Sequence, residues 1–191
     1  MQRKVFIFSA PSGSGKTTIV KHLLEQNNYL GFSISATTRS PRGGEEEGKD
    51  YYFWNISDFK KSIENQEFVE WENVYQGVFY GTLNSEVDRL WSEGKYPIFE
   101  VDVKGGLRLK EYFKNSALAI FVRVESMTIL EERLRDRNTE STSAFAERLQ
   151  KAEMELSYAP RFDQVLVNDQ LDKTLAEAQK LIDDFINATE P

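Results

Sequence analysis

Four short runs of apolar, largely β-branched residues stand apart along the chain: Val5 to Ser9, Pro97 to Val101, Leu118 to Val124 and Gln164 to Val167. Their nearly unbroken hydrophobicity predicts strands buried on both faces. Between them, apolar positions recur every three or four residues over Lys16 to Gln26, Leu83 to Glu93, Gly105 to Phe113, Met127 to Arg137, Ala144 to Tyr158 and Leu171 to Ile186. That period predicts helices. Strands of this kind alternating with helices predict an α/β fold, a parallel sheet flanked by helices on both faces.

The rhythm breaks twice. From about Phe32 to Gln76 the runs are short and aromatic (Phe32 to Ala36, Asp50 to Trp54, Phe68 to Tyr75) around one short helical stretch near Ile56 to Asn65. This predicts an inserted, mostly antiparallel α+β lobe on the α/β core. The second break, Asp136 to Ser143, is polar and rich in Thr, Ser and Asn, and suits a small lid. Neither repeat nor low-complexity linker separates independent units. The expected organisation is one domain over 1–191, with a core of 1–33, 95–125 and 150–191, a lobe of about 34–94 and a lid of about 126–149.

Composition narrows the function classes. A chain of 191 residues that is 40% hydrophobic and 13% aromatic can bury a substantial core. No run of 18 apolar residues is present, so no membrane span is expected. The absence of cysteine excludes disulfides and thiolate metal sites and suits a reducing, cytoplasmic setting. The formal net charge of −7 argues against a nucleic-acid partner. Any bound anion must then be met by a local gathering of cations.

The sharpest local pattern is Ala10-Pro11-Ser12-Gly13-Ser14-Gly15-Lys16-Thr17-Thr18, directly after the first strand and opening the first helix. Strand, glycine-rich loop and helix in this order form a P-loop: backbone N–H groups and the positive helix end face a triphosphate. Lys16 reaches the β- and γ-phosphates, and the Thr17 hydroxyl is placed to ligate Mg²⁺. Ala10 stands where the strictest pattern has Gly. The motif implies ATP or a similar nucleotide and leaves the reaction open.

A second anion site is suggested by Thr37-Thr38-Arg39-Ser40-Pro41-Arg42-Gly43-Gly44-Glu45, followed by Tyr51. Two arginines three apart and a phenol are suitable phosphate donors. The Asn-Lys-x-Asp element with which GTPase switches read guanine is absent.

With this segment the sequence resembles the guanylate kinase family. The likeness extends through Phe68-Val69-Glu70-Trp71, Tyr80-Gly81-Thr82, Val101-Asp102, Arg133 to Arg137, Arg148-Leu149 and Val167-Asn168-Asp169. The resemblance implies an enzyme that transfers the γ-phosphoryl group of ATP to GMP, with Mg²⁺, giving ADP and GDP. By the same resemblance, Ser35, Arg39, Arg42, Tyr51 and Tyr80 hold the GMP phosphate, and Glu45 orders their loop. Glu70, Thr82 and Asp102 read guanine. Lys16, Arg39, Arg133, Arg137 and Arg148 serve phosphoryl transfer, and Asn168 lies near adenine. This chain carries Thr82 where some members have serine, Lys104 where many have glutamine, and Asn138 where glycine is common.

The chemistry suits these residue types. The acceptor is a phosphate oxygen already largely ionised near neutral pH, so no general base is needed, and the lone His22 is read as structural or solvated. What remains is to position two polyanions and stabilise moving charge. Guanine offers two donors, N1–H and the 2-amino group, to carboxylates that only accept. Two other readings stay open: a kinase of a different small phosphate acceptor, and a guanylate-kinase-like protein-interaction module. Oligomeric state and the use of dGMP are also left open.

Overall fold

The computed structural model describes residues 3–75, 77–136 and 142–188. At its centre lies a five-stranded parallel sheet in the order β2-β7-β1-β8-β9. The strands are β1 (Val5–Ser9), β2 (Leu30–Phe32), β7 (Tyr96–Val101), β8 (Ala117–Arg123) and β9 (Gln164–Val167). Alternation along β1 shows why its run is apolar throughout. Phe6 and Phe8 join one core cluster with Ile19, Val20 and Leu23 of α1 (Lys16–Gln26) and Ala178 and Ile182 of α7 (Leu171–Asn187). Val5 and Ile7 point the other way, toward Val87 of α3 (Asn84–Ser92) and Val103 and Leu109 of α4 (Val103–Phe113). Every β1 side chain is buried, as a period of two between two helical layers demands.

The lobe has its own sheet, in the order β4-β3-β6-β5, formed by β3 (Ala36–Thr37), β4 (Tyr52–Phe53), β5 (Phe68–Tyr75) and β6 (Val78–Leu83). β3 pairs antiparallel with β6 and β6 antiparallel with β5, but β3 and β4 run parallel. Phe59 of α2 (Ile56–Glu64) stacks on Phe68 with ring centroids 4.5 Å apart and packs on Phe79, giving the lobe a small aromatic core. Asn55 caps α2 by accepting from the Asp58 amide at 2.8 Å.

Two sequence expectations need correction. The run Phe32 to Ala36 is not one strand of the lobe: Phe32 ends β2 in the parallel sheet, while Ala36 begins β3 in the lobe. The segment before the third helix is a full strand, β6, where only isolated site residues were expected.

The helices α5 (Met127–Asp136) and α6 (Thr142–Leu156) pack through Leu130, Leu134 and Ala152. The link between them, 137–141, lies outside the described residues, and with it Arg137 and Asn138. No helix among the described residues is long and apolar enough to cross a membrane.

Candidate active site

All five core strands run the same way, so their carboxyl ends share one edge, the usual binding edge of such a sheet. There the loop after β1 opens a cleft of about 390 Å³ between the core and the lobe. All nine residues from Ala10 to Thr18 line it. Gly15 caps α1 in the left-handed region at φ 86°. A methyl group on Gly15 would sit 2.2 Å from Asn168 Nδ2, so both conformation and space require glycine. Asn168 explains the crowding: its Nδ2 donates to the Ser14 carbonyl at 2.8 Å and pins the loop from below. Arg133 Nη2 reaches the Asn168 carbonyl at 3.4 Å, which sets its guanidinium beside Gly15.

Lys16 donates through Nζ to the Val101 carbonyl at 2.6 Å, at the end of β7. Burial pulls its pKa down, against the raising influence of Glu100, Asp102 and Glu155. Next to it, the Thr17 hydroxyl donates to the carboxylate of Glu100. Among the described residues no group of three or more His, Cys, Asp or Glu is placed to hold a metal ion. A hydroxyl beside a single carboxylate nevertheless suits Mg²⁺, which typically takes one or two protein oxygens and completes its shell with water and phosphate.

On the lobe side, Ser35, Arg42, Tyr51 and Tyr80 line the cleft. Burial pushes the Tyr51 phenol up, keeping it a neutral donor near pH 7. Arg39 stands one layer behind. Its Nη1 and Nη2 each donate to Glu45 at 2.6 Å, its Nε donates to the Tyr80 hydroxyl at 3.0 Å, and it lies 4.8 Å over the Tyr51 ring. Glu45 also accepts from the Arg42 amide at 2.7 Å. The hydrogen bonds from Arg39 are the main reason the Glu45 carboxyl is held down to about 2. One carboxylate thus holds both arginines of the loop, and Arg39 contacts Tyr51 and Tyr80 without reaching the cleft wall.

Glu70 and Thr82 face each other across β5 and β6. The Thr82 hydroxyl, fully buried, donates to Glu70 Oε1 at 2.7 Å. Asp102 enters from the core as the N-cap of α4, accepting from the Gly105 amide at 2.9 Å. Gly105 leaves the gap in which the two carboxylates approach. A methyl group there would lie 2.9 Å from Asp102 Oδ1 and 3.1 Å from Glu70 Oε2. Burial, reinforced by Asp102 and Glu72 and opposed by Thr82 and Arg108, pushes the Glu70 carboxyl up to about 7.

The described site residues gather on or just behind the wall of one cleft. Arg39, Glu45, Thr82, Arg133 and Asn168 form a second layer behind the cleft wall. Arg148 lines the cleft from α6. Sequence reasoning missed Glu72, Glu100, Lys151 and Glu155, which also line it. A signal was present for two of them: Glu72 and Glu100 each stand two residues from a nominated carboxylate, the spacing that returns a strand residue to the same face.

The family model for guanylate kinase matches residues 2–185. The chain is 45% identical over 185 residues to the guanylate kinase of Bacteroides fragilis, covering 97% of this chain and 91% of that one. It is 46% identical over 184 residues to that of Porphyromonas gingivalis, covering 96% and 98%. The crystal structure of guanylate kinase from Anaplasma phagocytophilum superposes with a TM-score of 0.79 at 28% identity, covering 97% and 87% of the two chains. With a phosphate loop facing paired carboxylates across one cleft, and family likeness over nearly its whole length, the chain belongs to the guanylate kinase family.

Proposed function

We propose that the chain transfers the γ-phosphoryl group of ATP to a phosphate oxygen of GMP, giving ADP and GDP. The observation that carries this reading is the pair Glu70 and Asp102, brought together over Gly105 and facing the phosphate loop across the cleft. Two acceptors at that spot match the two donors of guanine, whereas adenine offers an N1 acceptor and would leave them unpaired. Guanine's donors favour the ionised carboxylate, so GMP draws the Glu70 pKa down from about 7 as it binds.

The acceptor phosphate has its second pKa near 6 and is largely a dianion at neutral pH. It attacks without a general base, and the work of the protein is to align two anions that repel. Arg42, Tyr51, Tyr80 and Ser35 hold the acceptor phosphate, with Arg39 charging the wall from behind. Lys16, Arg133 and Arg148 serve the transferring group, with Arg137 assigned the same task from outside the described residues. Thr17, with Glu100 accepting its proton, is the hydroxyl that would meet Mg²⁺. Bound there, that ion would neutralise charge on the phosphates.

Closure of the lobe (about 34–94) over the core once both nucleotides are present would keep water from the γ-phosphate. The experiment is to supply γ-labelled ATP, Mg²⁺ and GMP and to separate the products. Label in GDP supports the reading. Label released as inorganic phosphate, or ATP left intact by folded protein, overturns it in favour of an ATPase or an interaction module.

A further inference from the structure

Close beside Glu70 the cleft holds a further carboxylate that base reading does not require. Glu72 follows Glu70 by one strand period on β5 and lines the same cleft. Three carboxylates on so small a surface repel one another and need a cation. Arg108, one turn beyond Gly105 on α4, supplies it. Its Nη1 donates to the Trp71 carbonyl at 2.5 Å, and its Nη2 lies 2.8 Å from Glu72 Oε1. This Oε1 is buried and receives no well-aligned hydrogen bond, so the contact is chiefly ionic. Half of the Arg108 side chain remains exposed, while that of Glu72 is 14% exposed. The guanidinium therefore bridges two pieces of the molecule: lobe strand β5, at Trp71 and Glu72, and the core helix whose cap is Asp102.

We propose that Arg108 is a positioning residue for base recognition: it clasps the strand carrying Glu70 to the helix capped by Asp102, and balances Glu72 beside them. This inference rests on the assignment of Glu70 and Asp102 to guanine. Arg108 itself does not line the cleft. Its effect runs through the spacing of the two reading carboxylates and through the charge that Glu70 feels. The groups facing Glu70 are Thr82 from β6, Glu72 from β5, Asp102 at the start of α4 and Arg108 further along it. Of these only Arg108 is positive.

The test compares wild-type protein with Arg108→Met, Arg108→Lys, Glu72→Gln and the double variant Arg108→Met/Glu72→Gln. The readouts are KM for GMP, KM for ATP, and the acid limb of kcat/KM for GMP. Loss of Arg108 should raise the GMP KM about tenfold and leave that of ATP within about twofold. It should also move the acid limb to higher pH, because Glu70 then ionises later. The GMP phosphate titrates identically in all variants and cancels. Lysine should recover part of both effects. The double variant should return the acid limb toward wild type, since the charge needing balance is gone. Equal rises in the GMP and ATP KM values, or an unmoved acid limb in folded Arg108→Met, would overturn the proposal. Glu70→Gln separates the two levels: if it spares GMP, base reading fails, whereas if it impairs GMP and Arg108→Met does not, only the clasp fails.

Discussion

Thr82 donates its hydroxyl to Glu70 Oε1 at 2.7 Å from the facing position of the neighbouring strand. The bond occupies one oxygen of a buried carboxylate and turns the other toward Asp102. A strand register, fixed by backbone pairing, thereby sets the direction in which a carboxylate reads its ligand.

Replacing Glu70 with Gln removes that acceptor and offers a donor in its place. The kcat/KM for GMP should fall about a hundredfold or more, while the ATP KM stays nearly unchanged. Stability should move the opposite way. Glu70 has an ordinary value of 4.5 and a folded value of about 7, so the folded protein binds more protons between these pH values. Its contribution to stability is complete below pH 4.5 and lost above pH 7. Gln, neutral throughout, should raise Tm by several degrees at pH 8 and little at pH 5, as thermal melts of the two proteins at both pH values would show.

Glu45 joins Arg39 to Arg42. With glutamine at this position, Arg39 loses its paired acceptor and the loop loses its anchor. The GMP KM should rise about tenfold, with a much smaller change for ATP. Because the Glu45 carboxyl is held down to about 2, the wild-type pair should survive to mildly acid pH. Its stabilising effect is present above the ordinary value of 4.5 and is lost as pH falls through that range toward 2.

Gly15 has no room for a side chain. Alanine there meets Asn168 Nδ2 and an unfavourable φ together. ATP binding, measured by calorimetry without acceptor, should weaken at least about tenfold, whereas GMP binding alone should change little.

Much of this was legible in the sequence because the core is governed by short-range pattern. The first helix and the first and last strands begin and end where hydrophobic period and the glycine-rich loop place them. The departures have physical causes. The hydrophobic period starts the fourth-helix segment at Gly105, yet α4 starts at Val103 because Asp102 caps it. Val78 to Leu83 sits directly before a helical period, and its hairpin with β5 and its long-range pairing with β3 reveal it as a strand. The same holds for the site. The phosphate loop is local and readable, and likeness to a family identified Glu70 and Asp102. The contact of Glu72 with Arg108 joins residues 36 apart and becomes visible only when β5 lies against α4.

Base choice by Glu70 and Asp102 is measured most directly by the ratio of kcat/KM for GMP to that for AMP, with Mg²⁺ and ATP saturating. A GMP preference of at least about a hundredfold is predicted, given two acceptors that adenine cannot fill. Folded protein that phosphorylates AMP as well as GMP, or that leaves GMP untouched, would contradict it.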